Sequence, residues 1–294
     1  MAVKPSSLWD GLRPMMLLVS ISSVLLGMAT AHSSGASWLM ADGLLLVLGV
    51  VLAHAGFNLF TSYQDVVSGF ASRATAMPFF RPLTTSKEDA GLLRRVAVGL
   101  LFIALVIGAY FVNKSGPELL LPIIFTLLMV ALYHSWLMRN PHLNLILPGV
   151  VLGPVLVMSC HFILTGEYSF FALHASLASF FLVNNLFLLN QYPNYHLNRE
   201  LGRFYFPVMY GTKRSSVVYV VFALGVMYVI GMGDIIGLLA EPVPWAMLPL
   251  LFSLYAVVGG FKYGTDGDKL RPHLWANMAA TLLVTLMLAY LMVI

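Results

Sequence analysis

Asn58-Leu-Phe-Thr-Ser-Tyr-Gln-Asp65 continues without a break out of the apolar run Leu39 to Phe60, and Asn190-Gln-Tyr-Pro-Asn-Tyr-His-Leu-Asn198 continues in the same way out of Phe170 to Leu189. An apolar run of about 20 residues is long enough to cross a bilayer core. Polar groups at the edge of such a span are costly unless they pair with one another or with a ligand. Two such clusters in matching positions therefore read as two halves of one site in a membrane. Asp65 is the only carboxylate in either stretch.

Seven further apolar runs lie outside these two, at approximately 14–31, 93–111, 119–137, 143–164, 216–239, 245–261 and 274–294, which makes about nine transmembrane helices. The 294 residues are 60% apolar and 10% charged, with a mean hydropathy of +0.87. No strand-like alternation is present, so the backbone must be satisfied inside helices and the fold class is an all-α polytopic membrane protein. The first run leads into further spans rather than into a polar domain, and it reads as a retained helix. No Pro/Gly/Ser linker divides the chain, so a single intramembrane domain over 1–294 is expected. Cys160 is the only cysteine; it excludes an intramolecular disulfide or a cysteine-based metal site and reads as a packing residue in the fifth span.

Orientation follows from the basic residues, which are retained on the cytoplasmic side. With nine spans, every Lys and Arg except Lys114 falls on one side. This places the N-terminus in the cytoplasm and the C-terminus outside, in a bacterial inner membrane. The net charge of +4 is spread over short loops rather than gathered on one face, so topology explains it and a nucleic-acid partner is not implied. The longest connections, about 58–92 and 190–215 with their polar motifs, both lie on the cytoplasmic side.

On a helix Asn58, Ser62 and Asp65 share one face. Asn190, Asn194 and Asn198 fall roughly into line as well, with Pro193 bending or interrupting that helix. His54, one turn before Asn58, could face the same chamber; His134, His161 and His196 read first as packing hydrogen-bonders. No histidine pair has metal-ligand spacing, and no Gly/Pro-broken helix stands out at mid-span, which weighs against a transporter of inverted repeats.

At the two polar stretches the chain resembles the UbiA superfamily of intramembrane prenyltransferases, particularly the branch that prenylates dihydroxynaphthoate in menaquinone synthesis. The resemblance implies a nine-helix bundle around a central cavity, with Asp-rich motifs after the second and sixth helices. In the first motif Asn58, Tyr63, Asp65 and Gly69 match, whereas Ser62 and Ala71 stand where the family has acids. In the second, Gln191, Asn194 and Asn198 replace acids. Arg81-Pro82-Leu83 and Gly211-Thr212-Lys213 are similar to further family elements. The implied activity is transfer of an isoprenoid chain from a prenyl diphosphate to a small aromatic or quinone-precursor acceptor, with Mg²⁺ as cofactor.

On that resemblance Asp65 and Asn58 are the catalytic candidates and Asp65 the metal contact. Tyr63, Arg81, Asn190, Gln191, Asn194, Asn198 and Lys213 are the substrate-binding candidates. The replacements weaken a magnesium site, because amide oxygens supply no neutralising charge to a hard cation. Arg73, Arg81, Lys87, Arg199, Arg203, Lys213 and Arg214 could pair with phosphate directly. A contrasting reading is a non-catalytic relative that binds a quinone, isoprenoid or pigment as a subunit or accessory factor of a membrane complex, since amides suit a neutral headgroup. Restoring acids discriminates between these roles. Ser62→Asp with Asn194→Asp and Asn198→Asp is expected to raise Mg²⁺-dependent prenyl diphosphate binding, and an unchanged titration by native mass spectrometry would sink that alignment of roles.

Overall fold

A computed structural model of the chain describes residues 5–78, 80, 83, 86, 90–237 and 243–294. Among them the regular structure is helical, with one isolated bridge between Met77 and Phe80. Eight helices are long and apolar enough to cross a membrane, so the protein is an integral membrane protein. A short α1 (Pro5–Leu12) precedes α2 (Pro14–Ser33), α3 (Met40–Val67) and α4 (Gly91–Ser115). The fourth expected span falls on a shorter apolar helix, α5 (Leu120–Leu132), entered through a 3₁₀ turn at Pro117–Leu119. Its 13 residues rise about 20 Å, short of a bilayer core. Its N-terminal end follows Ser115, whose Oγ bonds the Ile163 carbonyl at 3.1 Å. Beyond its C-terminal end lies Asn144, which accepts a bond from Gln191 at the far end of the sixth span.

The fifth span departs from the expectation of an unbroken helix. It is built from α6 (Pro141–Val150), a π turn at Val151–Val155 and α7 (Leu156–Thr165). Pro148 and Pro154 lack the N–H groups an α-helix needs, and such a gap is tolerated at membrane depth where neighbours satisfy the backbone. Asn184 does this here, its Oδ1 accepting the Gly149 N–H at 2.7 Å. Then follow α8 (Phe170–Asn190), α9 (Tyr195–Glu200), α10 (Phe206–Tyr210), α11 (Thr212–Ile235), α12 (Val243–Met247), α13 (Leu250–Tyr263) and α14 (Gly267–Leu291).

The packed side of the bundle is formed by α2, α8, α11 and α14, where Leu26, Ala178, Leu182, Val226, Ile230 and Val284 close one core cluster. Apolar burial gives little drive between helices in lipid, so close approach and internal hydrogen bonds set the association. One buried polar triangle ties three of these helices. Asn185 donates to the Tyr219 carbonyl (3.1 Å), the Tyr219 hydroxyl donates to Asn277 Oδ1 (2.8 Å), and Asn277 donates to the Asn185 carbonyl (3.0 Å). Backbones approach closely where Gly149 and Gly153 meet α8. A Cβ on Gly149 would lie 2.3 Å from the Phe180 carbonyl oxygen, and one on Gly153 would lie 2.8 Å from the Phe180 nitrogen. The opposing atoms are backbone and cannot swing aside. Gly149→Val is therefore expected to cost about 3 kcal/mol through overpacking; an unchanged thermal transition in detergent would contradict this contact.

Candidate functional site

The first polar stretch stays helical to Val67, and Gly69, at φ 77°, lets the chain leave that helix. The Gly69 and Ala71 amides close the end onto the carbonyls of Val66 and Asp65. A residue with a side chain would be strained at that φ, which accounts for the glycine. Asn58, Ser62 and Asp65 are all buried and face the end of α1. Asn58 donates to the Leu12 carbonyl (2.9 Å) and Ser62 to the Gly11 carbonyl (3.2 Å). Asp65 binds Arg13, Nη2 to Oδ2 at 2.9 Å. Its other oxygen is held by Arg203 at 2.7 Å, and the same Arg203 nitrogen reaches Ser68 Oγ at 3.2 Å. Phe80 covers the Arg13 guanidinium, 5.0 Å from ring centre to Cζ, and Phe70 covers that of Arg203 at 4.0 Å.

The second stretch is interrupted at Pro193, as its sequence implies, so its asparagines do not share one helix. Asn190 ends α8, Asn194 precedes α9 and Asn198 lies within it. Asn194 is buried and crosses to the first stretch, its Oδ1 accepting the Thr75 N–H at 2.8 Å. Arg73 and Glu200 form a second, exposed link between the two loops. That contact lowers the Glu200 carboxyl below its ordinary value, through the hydrogen bond first and the charge second. Gln191 donates to Asn144 Oδ1 at 2.8 Å. Three amide oxygens of this stretch, on Asn190, Gln191 and Asn198, are buried and have no protein donor.

Not every candidate joins the cluster. Tyr63 turns toward α4, its ring 5.6 Å beneath the Arg94 guanidinium. Lys213 is exposed on the first turn of α11. Arg81 and Lys87 lie outside the described residues. Conversely, Arg13, Tyr133, Asn144 and Tyr205 take part although they lie outside the two motifs. Arg13 follows the topological bias of the other basic residues, yet it sits directly before Pro14 at the mouth of a span and pairs with Asp65. Tyr133 and Asn144 line the neighbouring cavity and are single polar residues at the ends of apolar runs. Tyr205, buried between α9 and α10, is pushed well above the ordinary phenol value by burial first and by Tyr133 second. It is therefore a neutral hydroxyl.

Next to this cluster is a cavity of about 300 Å³ bounded by α3, α4, α5 and the broken fifth span. Leu46, Phe111, Leu119 and Ile123 line one end; Tyr133 and Asn144 belong to the other. His54 also lines it, with Nδ1 hydrogen-bonded to Ser20. Nearly all the rest of the wall is aliphatic or aromatic, matched to a hydrocarbon chain with a polar terminus.

A model of the UbiA prenyltransferase family matches residues 20–279. The chain belongs to that family. UbiA-family structures share its fold at low identity. A UbiA homologue from Archaeoglobus fulgidus bound to DMAPP and Mg²⁺ is 15% identical with a TM-score of 0.64, over 95% of this chain and 99% of that one. An apo UbiA homologue from Aeropyrum pernix K1 is 17% identical, with a TM-score of 0.62 over 90% of this chain and 95% of that one. A structure described for digeranylgeranylglyceryl phosphate synthase is 14% identical, with a TM-score of 0.66 over 98% and 99%. No curated protein sequence matches.

Within this UbiA fold the residues present do not fit a magnesium site. Both oxygens of Asp65, the one acid in the two stretches, are taken by arginines. No group of three or more His, Cys, Asp or Glu residues suited to a metal occurs among the described residues. The amide oxygens left unpaired carry no charge to offset dehydration of a divalent ion. The cluster instead holds two cations and one anion. Arg203→Ala would leave the buried Asp65 with only Arg13, and a loss of about 3 kcal/mol is expected. A thermal transition within about 0.5 kcal/mol of the parent, the range of ordinary surface changes, would show that the Asp65 pairing does not support the fold.

Proposed function

We propose that this UbiA-family protein is an intramembrane prenyltransferase, moving an isoprenoid chain from a prenyl diphosphate to a small aromatic or quinone-precursor acceptor. The supporting observation is the apolar cavity of about 300 Å³ that ends beside the Arg13–Asp65–Arg203 cluster. Its length of hydrocarbon wall suits a prenyl tail, and the cations beside its polar end suit the leaving diphosphate. Aromatic residues at that end, Phe57 and Tyr133, meet edge to face at 5.2 Å, and ring faces favour a developing allylic cation. Asn58 positions α1, and with it Arg13, through its bond to Leu12. Asn190, Gln191 and Asn198 offer acceptors to an acceptor hydroxyl. The reading places one domain over 1–294, with loops 58–92 and 190–215 in the cytoplasm and the N-terminus inside, in an inner membrane.

A second reading is supported by one specific feature: each lost acid of the second stretch is an amide, and the oxygens of two of them, Gln191 and Asn198, together with that of Asn190, lack a protein donor. A neutral quinone, isoprenoid or pigment would satisfy them without any diphosphate, as expected of a non-catalytic subunit of a membrane complex.

The deciding experiment is native mass spectrometry with lipid extraction, followed by turnover assays with a prenyl diphosphate and a panel of aromatic acceptors. Prenylated product supports the transferase; a co-purified neutral lipid with no turnover supports the second reading. Ala104→Trp, which fills the cavity wall, is expected to lower isoprenoid affinity by about tenfold or more, at roughly 1.4 kcal/mol per decade. Undiminished binding in that variant would remove the cavity from the reading.

A further inference from the structure

We infer that the headgroup site is a metal-free anion site, in which Asp65 is a resident counter-ion for Arg13 and Arg203 rather than a metal ligand. A phosphate or diphosphate headgroup takes its place. The inference rests on the proposed isoprenoid cavity and goes beyond it in assigning what reads the headgroup.

Four observations converge. Each Asp65 oxygen is within 3 Å of a different guanidinium, at 2.9 and 2.7 Å, so its single negative charge is already shared by two cations. The two arginines come from distant parts of the chain, before α2 and after α9, and converge on one carboxylate. Two positive charges against one negative leave the cluster cationic, the sign that attracts an anion and repels Mg²⁺. Finally, Arg13 Nε is buried and has no protein acceptor, an unspent N–H donor aimed at no group of the protein.

The stacking explains how the donors are presented. Phe80 and Phe70 cover the faces of the two guanidinium groups, and a guanidinium donates in its own plane. What remains for a ligand is the edge, whose parallel N–H groups fit two oxygens of one phosphate. Asp65 occupies that edge now with a single charge. A diphosphate brings more negative charge to the same donors, so it competes effectively. Ser62 and Ser68, which also lie within reach of these guanidinium nitrogens at 3.5 and 3.2 Å, keep the arginines in place when the carboxylate is displaced.

The two kinds of site differ in the sign of one substitution. Where Asp65 ligates a metal that bridges to phosphate, Asp65→Asn abolishes binding. Where Asp65 competes with phosphate for the arginines, Asp65→Asn strengthens it.

The test is titration of the full chain in detergent with geranyl diphosphate and, separately, with geraniol, each in excess Mg²⁺ and in EDTA. Geranyl diphosphate is expected to bind in EDTA within about threefold of its affinity in Mg²⁺, and about tenfold or more tightly than geraniol, the size of effect charge-assisted bonds supply. Asp65→Asn is expected to tighten it by about tenfold and Arg13→Gln to weaken it by a similar factor. Diphosphate binding that vanishes in EDTA overturns the inference while leaving the transferase reading intact. Equal affinity for geraniol and its diphosphate also overturns it and points to a neutral headgroup. If neither ligand binds, the inference and the isoprenoid reading fall together. The EDTA comparison uses the unaltered chain, so it decides even if a variant does not fold.

Discussion

The buried carboxylate of Asp65, shared between Arg13 and Arg203, is the contact through which the polar end of the bundle is assembled. Its members are far apart in sequence, and none has an alternative partner of opposite charge among the described ion pairs. A lone carboxylate at this depth would be severely destabilised, whereas one with two hydrogen-bonded cations is tolerated. The pairing therefore fixes where α1 lies against α3 and where the segment after α9 must return. Asn58 and Ser62 add bonds to the same part of α1. Arg73 with Glu200 and Asn194 with Thr75 then join the two loops around it. Of these the exposed Arg73–Glu200 pair contributes least, since solvent screens it.

Replacement of acids by amides changes the electrostatics of this chamber more than its shape. Gln191 and Asn194 still make specific bonds that hold the second stretch in position. Amides carry no negative charge, and the ion pairs at this end set two arginines against the single carboxylate of Asp65. Family membership, established over residues 20–279, describes the scaffold; it does not carry the charge state of the site with it. The chain keeps the scaffold residues Asn58 and Gly69, whose roles are a bond to α1 and a helix exit at positive φ. It departs at the positions whose role in the resemblance was to neutralise a metal.

Much of the architecture was legible because the bilayer imposes a strong constraint on composition: long apolar runs must be helices. The shared face of Asn58, Ser62 and Asp65 follows from helical spacing alone, and so does the break at Pro193. The partner of Asp65 did not follow, because Arg13 obeys the topological bias of every other basic residue and long-range pairing has no local signature. The π turn in the fifth span was missed for a different reason. Pro148-Gly149 and Gly153-Pro154 sit inside a run whose hydropathy never falters, and the group that repairs the backbone, Asn184, belongs to another helix. Tyr63 matched a motif position yet faces α4, showing that a match in sequence does not set the direction of a side chain.

The short helix α5 has a consequence for exchange with the surrounding lipid. It buries none of its residues, yet it supplies Pro122, Ile123, Thr126, Leu127, Met129 and Val130 to the cavity wall. Its outer surface meets lipid and its inner surface meets the void, so little packing would be broken by its displacement. Local opening free energies are lowest where buried contacts are fewest. The cavity thus has a soft side wall facing outward and a polar end at Tyr133 and Asn144. A greasy molecule would pass laterally between the bilayer and the interior, while its polar end slides along the membrane boundary without crossing the hydrophobic core. The rate of such passage would be governed by the motion of one helix, leaving the α2, α8, α11 and α14 assembly undisturbed.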